Sequence, residues 1–384
     1  MKFRFATATQ IVFGQGCLAE LPSLLAPLGS RALVVTGADP TPAASVLGLL
    51  SEAGIEYSLL SGSGEPTAQL TRDGAAMARA EACSFVVGVG GGSTLDAGKA
   101  IAALVTNGGD PLDYLEIVGA GRRISKPAAP YVAIPTTAGT GAEVTRNAVL
   151  TSEEHGVKAS LRSDYILPRI ALVDPELTYG VPAAVTASTG LDALTQNIEP
   201  FVSCRANPLT DALCRDGIRR GAHWLRRAYD DGSDAQAREN MALASLFGGL
   251  ALANAKLGAV HGFAAPLGGM FRAPHGALCA CLLPQVMRMN IDALREREPD
   301  SGSLARYGEV ARLVTGRSDA TPDDGVAWAQ ELRDALQIPP LSAYGVTRAD
   351  IAVLTEKASA ASSMQGNPIK LSHAELQAIL EAVL

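Results

Sequence analysis

The first half of the chain alternates short apolar runs with longer segments in which apolar residues recur every three or four positions. The short runs predict buried strands, at residues 32–35, 55–60, 85–89 and 131–134. The longer segments predict the helices between them, at residues 43–53, 68–82 and 93–105. Strands that alternate with helices are typical of a parallel sheet covered by helices. We therefore expect an α/β domain with a Rossmann-like parallel sheet of the kind that binds dinucleotides.

Beyond residue 182 the pattern changes to long helical segments. Helices are predicted at residues 187–203, 209–227 and 235–255, shorter ones follow as far as residue 384, and strand-like runs nearly disappear. The segment Tyr179-Gly180-Val181-Pro182 combines turn residues with a helix-breaking proline, so we place the domain boundary there. The expected organisation is a dinucleotide-binding α/β domain over residues 1–182 and an all-α domain over residues 183–384.

Composition supports a folded protein of two domains and excludes several classes of partner. The 384 residues exceed what one hydrophobic core usually organises. Hydrophobic residues make up 47% of the chain and charged residues 18%, which is globular rather than disordered composition. Because 39 acidic residues outnumber 32 basic ones, for a formal net charge of −7, we expect neither nucleic acid nor an anionic membrane as a partner.

No segment predicts export or membrane insertion. The amino terminus is charged at Lys2 and Arg4 without a following apolar segment, and nowhere do about 18 apolar residues run together. We therefore expect a soluble cytoplasmic protein.

The six cysteines are too sparse for a disulfide scaffold, and we interpret them as reduced thiols. Cys279 and Cys281 lie in the apolar segment 277–283, where free cysteine acts as a small hydrophobe.

A glycine-rich segment, GVGGGSTLDAGK at residues 88–99, follows a predicted strand and precedes a predicted helix. Glycine allows close backbone approach, and the free N–H groups of a helix start bind anions. We expect Gly90, Gly91, Gly92 and Ser93 to hold the cofactor pyrophosphate, and Ser93 with Asp96 to form a capping box at that helix start. Asp96 is included among the cofactor-binding candidates. The alternative is a tight strand-to-helix turn that binds no ligand.

A second polar segment, PTTAGTGAEVT at residues 135–145, follows another predicted strand. Its threonines offer hydroxyl groups at the same carboxyl edge of the sheet, so we add Thr136, Thr137, Thr140 and Thr145 to the cofactor-binding candidates.

Asp39 follows the first strand of the sheet, where a carboxylate can bind an adenosine ribose and repel a 2′-phosphate. NAD(H) is thus favoured over NADP(H), unless Asp39 is only a turn residue before a proline.

Taken together, five segments resemble those of the iron-containing (group III) alcohol dehydrogenase family: GGGSTLDAGKA, PTTAGTGAEVT, ALVDPELT, GLDALTQNIEPFVS and HGFAAPLGGMFRAPHGALCACLLPQVMRMN. They occur in order over nearly the whole chain. The resemblance implies the dehydroquinate synthase-like fold that this family shares and NAD in the first domain. It also implies a divalent metal, usually iron or zinc, in the cleft between the domains, a small alcohol or carbonyl substrate, and a homodimer.

The resemblance also implies which residues hold the metal. The family uses one aspartate and three histidines, and the matching positions here are Asp192, Gln196, His261 and His275. Gln196 replaces the first family histidine, and Ala265 replaces a further histidine found in many members. His261 and His275 are the expected catalytic residues. A glutamine oxygen is a weak ligand for zinc or iron, so we expect Fe²⁺ or Zn²⁺ to be held weakly, or the metal to be lost.

Several other functions are compatible with these segments. Without a metal, a protonated His261 or His275 would stabilise the developing alkoxide, which suits reduction of an oxo acid and resembles maleylacetate reductase. A silent NAD-binding protein and a sugar-phosphate cyclase with the same fold are further alternatives. Basic side chains near the five segments are candidates for binding a substrate carboxylate: Arg146, Arg162, Arg205, Lys256 and Arg272.

Overall fold

The computed structural model describes residues 2–116, 118–152, 154–155, 157–271 and 273–384. These residues form two compact units. The α/β unit consists of Ala6–Thr137 and Gly141–Gly180, and the helical unit consists of Val181–Leu384 with Ala138–Thr140 and a short amino-terminal segment. In the described part of the chain no single helix has the length and apolar composition to span a membrane; the bent pair Ala235–Ala255 and Ala259–Met270 meets those criteria only when taken together.

The α/β unit is built on a parallel sheet, for which six strands are seen among the described residues. They are β1 (Gln10–Phe13), β2 (Arg31–Thr36), β3 (Glu56–Ser61), β4 (Phe85–Gly90), β5 (Tyr131–Pro135) and β8 (Ile170–Val173), in the spatial order β1-β8-β5-β4-β2-β3. A separate antiparallel pair consists of β6 (Asn147–Ser152) and β7 (Val157–Arg162). The predicted α/β fold with its parallel sheet is confirmed.

Five helices belong to this unit in the part of the chain that the structure describes; α2, α3 and α4 lie where the apolar periodicity predicts helices, and α1 and α5 were not predicted. They are α1 (Leu21–Leu25), α2 (Ala44–Glu52), α3 (Ala68–Ala80), α4 (Gly92–Asn107) and α5 (Pro111–Tyr114). One apolar cluster joins α1 and α2 to the sheet, and another joins α4 to it. The ring of Tyr131 is almost completely buried, and its hydroxyl donates to the carbonyl of Leu95. A Cβ atom at Gly88 or Gly98 would lie 2.1 or 2.6 Å from Tyr131, so both glycines let helix and strand approach this ring.

The strand order predicts where a ligand binds in the α/β unit. From β2 the chain first adds β3 on one side, and then returns to add β4 and β5 on the other side. This reversal lies between β2 and β4, whose register pairs Thr36 with Val89. Ligands of open parallel sheets bind beyond the carboxyl ends of the strands at such a reversal. The loops that follow β2 and β4 are therefore the expected site.

The second unit is helical throughout the part that the structure describes. Its helices are α6 (Ala183–Val202), α7 (Pro208–Asp230), α8 (Ala235–Ala255), α9 (Ala259–Met270), α10 (His275–Arg297), α11 (Gly302–Thr315), α12 (Pro322–Ala335), α13 (Ile351–Ala360) and α14 (His373–Glu381). The predicted helices at 187–203, 209–227 and 235–255 correspond to α6, α7 and α8. The apolar core of this unit includes buried residues from α6, α9 and α10.

Candidate functional site

Helix α6 carries three polar side chains on one face within the helical unit. Asp192, Gln196 and Glu199 are spaced by four and three residues, so they lie along the same side of the helix. Their exposed fractions are 2, 3 and 5%. Polar groups are costly to bury unless a partner or an ion binds them. This face of α6 is therefore a place where a ligand is expected.

His261 on α9 points its ring at that face. Its Nδ1 lies 2.6 Å from Oε2 of Glu199, whose Oε1 accepts the backbone N–H of Val260 at 2.7 Å. The bond from Val260 fixes the Glu199 carboxylate. Because a carboxylate can only accept, Nδ1 of His261 is the protonated nitrogen that donates to it. Nε2 of His261 then lies 3.4 Å from Oδ1 of Asp192 and is left to bind a metal.

Helix α10 brings two further donors to the same place. His275 is its first residue, and Nε2 of His275 lies 3.9 Å from Oδ1 of Asp192. Cys279 follows one helical turn later, with its sulfur 3.6 Å from Nε2 of His275 and 3.8 Å from Nε2 of His261. One donor atom from each of Asp192, His261, His275 and Cys279 lies within 4.8 Å of all the others. We call these four residues the donor cluster.

Charges within the donor cluster favour bound positive charge. Burial opposes ionisation of Asp192, but positive charge on His275 and His261 outweighs it, so the pKa of the carboxyl lies below its ordinary value. Burial would also lower the pKa of His261, yet Cys279, Glu199 and Asp192 raise it well above its ordinary value. The charge of the Cys279 sulfur raises the pKa of His275 to about 9 against the effect of burial, with a further contribution from Asp192. A divalent cation can replace these protons.

Two buried side-chain oxygens show whether the donor cluster suits a metal ion. Oδ1 of Asp192 and Oε1 of Gln196 are enclosed, and neither accepts a hydrogen bond from the residues that the structure describes. Buried polar atoms without partners are uncommon and indicate a missing ion or water. A carboxylate oxygen, two imidazole nitrogens and a sulfur are also donors that divalent transition metals prefer. The residues present therefore fit a metal ion.

In the α/β unit the glycine-rich loop lies at the reversal in strand order. Gly90 ends β4, Gly91 caps α4 and Gly92 begins it, so the N–H groups of the first helical turn point away from the helix. The backbone N–H of Thr136 donates to the carbonyl of Gly90 at 3.0 Å, and the hydroxyl oxygen of Thr137 would lie 3.5 Å from a Cβ at Gly91. The two loops predicted from the sequence are thus neighbours at one helix N-terminus, the kind of place that favours an anion.

The predicted capping box at this helix start is wrong. Helix α4 is capped by Gly91, which has no side chain to accept a bond, and Ser93 lies inside the first turn. Asp96 points inward instead: it pairs with Nζ of Lys99 at 2.8 Å and accepts the backbone N–H of Val149 at 2.9 Å. A glycine cap leaves the N–H groups of the first turn uncovered, whereas a capping side chain would bind one of them.

Lys99 is fully buried and joins α4 to the second loop. Its ammonium donates to the carbonyl of Ala142 at 3.0 Å, the hydroxyl of Thr145 at 2.9 Å and the carbonyl of Asn147 at 2.5 Å. Thr145 and Asp96 therefore support the loop from inside. Thr140 is partly exposed, and it belongs to the helical unit in the division of the chain.

The loop after β2 contains Asp39, which is exposed. Its Oδ1 accepts the backbone N–H of Thr41 at 2.9 Å, so the residue does shape the turn into the short 3₁₀ helix Thr41–Ala43. Gly37, in the same loop, would place a Cβ 3.9 Å from the Thr94 hydroxyl of α4. Asp39 thus follows β2 in a loop that reaches the first turn of α4.

Of the five basic side chains considered for a substrate carboxylate, three have other partners, and Arg205 is exposed. Arg146 pairs with Asp164 at 2.8 Å, and Arg162 pairs with Glu116 at 3.5 Å. Nζ of Lys256 donates to Gln365 at 2.9 Å. Arg272 lies outside the described residues. The cations that are paired with carboxylates are less suited to bind a substrate.

Comparison with known proteins decides the family. Residues 8–175 match the family described as iron-containing alcohol dehydrogenase, and residues 186–384 match the carboxyl-terminal part of the same family. The chain belongs to the iron-containing alcohol dehydrogenase family. It is an NAD-dependent alcohol dehydrogenase of the iron-containing type, as the five segments predicted, and the family uses NAD and a metal ion.

Individual relatives cover almost the whole chain. The 1,3-propanediol dehydrogenase of Klebsiella pneumoniae is 42% identical over 361 residues, 93% of this chain and 89% of the relative. The crystal structure of a 1,3-propanediol oxidoreductase aligns with a TM-score of 0.92 and 36% identity over all of both chains. A sulfoacetaldehyde reductase from Bifidobacterium kashiwanohense, solved with NAD⁺, aligns with a TM-score of 0.88 and 29% identity over 100% of this chain and 99% of its own.

Three residues of these sites were missed by sequence reasoning. Glu199 lies seven residues after Asp192, and this spacing on one helix could have indicated it. Cys279 lies four residues after His275, the same kind of signal, but it was interpreted as a small hydrophobe. Lys99 was included in the glycine-rich segment without a role. The burial of Lys99 and its hydrogen bonds to the second loop depend on how helix α4 packs against that loop. No local pattern in the sequence shows this packing.

Proposed function

We propose that this protein interconverts a small alcohol and its aldehyde or ketone with NAD(H), using a divalent metal held by Asp192, His261 and His275. The observation that carries the proposal is the donor cluster: a buried carboxylate oxygen, which has no hydrogen-bond partner in the described part of the chain, faces two imidazole nitrogens at 3.4 and 3.9 Å. Gln196 places a neutral, buried oxygen on the same face of α6. When bound, such a metal polarises a carbonyl oxygen and lowers the pKa of an alcohol.

The protein's own residues orient the reacting groups. Glu199 holds the ring of His261 so that Nε2 faces the cluster. The side chain of His275 is 39% exposed, whereas those of His261 and Asp192 are buried, so we assign the substrate to the His275 side of the cluster. No nucleophile from the protein is needed, because hydride passes directly between nicotinamide and substrate carbon.

The nucleotide is assigned to the α/β unit. We place the pyrophosphate on the backbone of Gly90, Gly91, Gly92 and Ser93, with the hydroxyl groups of Thr136 and Thr137 beside it. Asp39 is assigned to the adenosine ribose, which favours NAD(H). Thr140 stays a candidate contact, and Asp96 and Thr145 support the loops. On this proposal residues 1–182 form the nucleotide-binding domain and residues 183–384 the metal-binding and substrate-binding domain.

The substrate is proposed to be a short-chain alcohol or carbonyl compound. The relative that is 42% identical is named for 1,3-propanediol, a small diol. We further propose a homodimer in the cytoplasm, and light scattering of the purified chain tests the dimer.

The decisive experiment compares metal content with activity. Protein purified without oxygen is assayed for NADH oxidation with short aldehydes and with 2-oxo acids, before and after a chelator and after return of Fe²⁺ or Zn²⁺. We expect about one metal per chain, loss of aldehyde reduction on chelation and its return with metal. Full activity with less than about a tenth of a metal per chain would overturn the proposal in favour of metal-independent reduction. His261→Ala should lose both metal and activity.

A further inference from the structure

The donor cluster contains a sulfur that the family ligand set does not include. Cys279 is fully buried on α10, and the partners of its sulfur among the described residues are the imidazole nitrogens of His261 and His275. Cys281, two residues later on the same helix, points elsewhere, because its thiol donates to the carbonyl of Val383. The position of Cys279 beside both imidazoles therefore does not follow from apolar packing alone.

The distances around Cys279 fit a tetrahedral metal site. In a tetrahedral zinc site, bonds of about 2.0 Å to nitrogen or oxygen and about 2.3 Å to sulfur place sulfur about 3.5 Å from nitrogen, and nitrogen about 3.3 Å from oxygen. The sulfur-to-nitrogen distances here are 3.6 and 3.8 Å. The nitrogen-to-oxygen distances are 3.4 and 3.9 Å. Three of these four distances are thus within about 0.3 Å of the edges of one coordination tetrahedron, and the donor atoms come from three helices.

Chemistry favours the sulfur over the amide of Gln196 as the fourth ligand. An amide oxygen is neutral and suits hard cations, whereas a thiolate is charged and binds zinc strongly. Gln196 stands where the family resemblance implies a histidine, so the chain lacks one nitrogen donor there. One turn of α10 supplies a replacement, because Cys279 follows His275 at the spacing that puts both side chains on one helix face.

We propose that Cys279 is the fourth protein ligand of the metal, and that the resulting Asp/His/His/Cys site selects Zn²⁺ over Fe²⁺. The proposal rests on the proposed function and specifies its metal. On binding, the thiol loses its proton to solvent and the sulfur forms a bond to the cation, with no change in oxidation state. Thiolate ligation favours zinc over the harder ferrous ion, and zinc can accept substrate oxygen as a fifth ligand.

The test uses the full chain, stripped of metal and reloaded with Co²⁺, and the variants Cys279→Ser and Cys281→Ser. Cobalt bound to a thiolate gives a sulfur-to-metal charge-transfer band in the near ultraviolet. We expect this band in the wild type and in Cys281→Ser, and its loss in Cys279→Ser while the weaker visible cobalt bands stay. Competition between Zn²⁺ and Fe²⁺ should favour zinc in the wild type, and the preference should fall by at least about tenfold in Cys279→Ser.

A second measurement needs no variant. X-ray absorption of the zinc-loaded wild type should show one sulfur at about 2.3 Å together with nitrogen and oxygen at about 2.0 Å. Visible cobalt bands without charge transfer, or a zinc shell without sulfur, would overturn the assignment of Cys279 and leave the metal-dependent function standing. Failure of the wild type to bind Co²⁺ or Zn²⁺ at all would overturn the proposed function as well.

Discussion

The carboxylate of Glu199 lies 2.6 Å from Nδ1 of His261, and both side chains are buried. A carboxylate that accepts the second ring N–H of a metal-binding histidine fixes the tautomer and makes the other nitrogen more basic. Here the carboxylate is itself held by the backbone N–H of Val260. Glu199 is thus a positioning residue, since it holds the ring of His261, the proposed metal ligand.

Replacing Glu199 by glutamine keeps a hydrogen-bond acceptor for the ring but removes the negative charge. We expect Glu199→Gln to fold normally and to bind Zn²⁺ about 10- to 100-fold more weakly than the parent protein. Glu199→Ala should be weaker still, because the ring of His261 is then free to turn. Competition with a coloured chelator measures these affinities.

The matched control is Glu296→Gln, which removes an exposed carboxylate from α10. It should leave metal affinity unchanged. If Glu199→Gln bound zinc as tightly as this control, Glu199 would have only a structural role.

The local pattern of apolar residues predicted several strands and helices of the fold. The buried run of β4 and the periodicity of α4 and α6 place the glycine-rich loop and Asp192 correctly. Strand β1 was missed because its residues are exposed or half-buried, as expected of an edge strand without a buried run. Strand β6 alternates half-buried and buried positions, so its period of two offered a signal that was not used.

The candidate site was harder to predict, because it depends on contacts between distant segments. Glu199 contacts His261 across 62 positions of the sequence, and Lys99 contacts the loop around Ala142 across 43. Such pairs follow from the packing of helices and loops. Cys279 is different: helical spacing from His275 would have placed both on one face, had the segment been assigned to a helix.

Gly91 should be essential for the cofactor but not for the fold. Its φ is −73°, and an added Cβ would meet only ordinary contacts, the shortest at 3.5 Å from the Thr137 hydroxyl. We expect Gly91→Val to stay folded and to lose NADH binding, because the side chain occupies the space of the pyrophosphate. Fluorescence titration with NADH measures the loss.

Two other glycines make this prediction specific. Gly48→Ala on α2 adds a Cβ in open space, and it should bind NADH normally. Gly90→Ala should destabilise the protein itself, because Gly90 has a φ of +158° and its Cβ would lie 2.6 Å from the Thr94 hydroxyl. If Gly91→Val bound NADH as tightly as Gly48→Ala, the assignment of the pyrophosphate to this loop would be wrong.

Cofactor preference should depend on the charge of Asp39. The structure favours Asp39→Asn as the test, because asparagine can still accept the N–H of Thr41 while it no longer repels a 2′-phosphate. We expect the ratio of kcat/KM for NADPH to that for NADH to rise about tenfold, equivalent to about 1.4 kcal/mol. The control Asp73→Asn removes an exposed charge from α3 of the same unit. If both variants had the same ratio, Asp39 would not contribute to cofactor preference and would only shape the turn.

Glu143 should make the stability of the α/β unit depend on pH. This residue is 2% exposed within the second loop, between Ala142 and Thr145, which bind Lys99. Burial raises the pKa of the Glu143 carboxyl to about 7, although its own backbone N–H and the charge of Lys99 oppose the rise. Between the unfolded pKa near 4.5 and the folded value of about 7, the folded protein keeps a proton that the unfolded chain has lost.

Stability must therefore fall as pH rises through that window, by at most about 3 kcal/mol in total. Glu143→Gln cannot ionise, so it lacks this decline. We expect the melting temperature of the metal-free variant, relative to that of the wild type, to increase from about pH 5 to about pH 7 and to level off above. The control Glu52→Gln removes an exposed carboxylate of α2, and its difference from the wild type should not follow this course. A melting difference for Glu143→Gln that is the same at every pH would show that Glu143 is ionised in the folded protein, with the Lys99 ammonium outweighing the cost of burial.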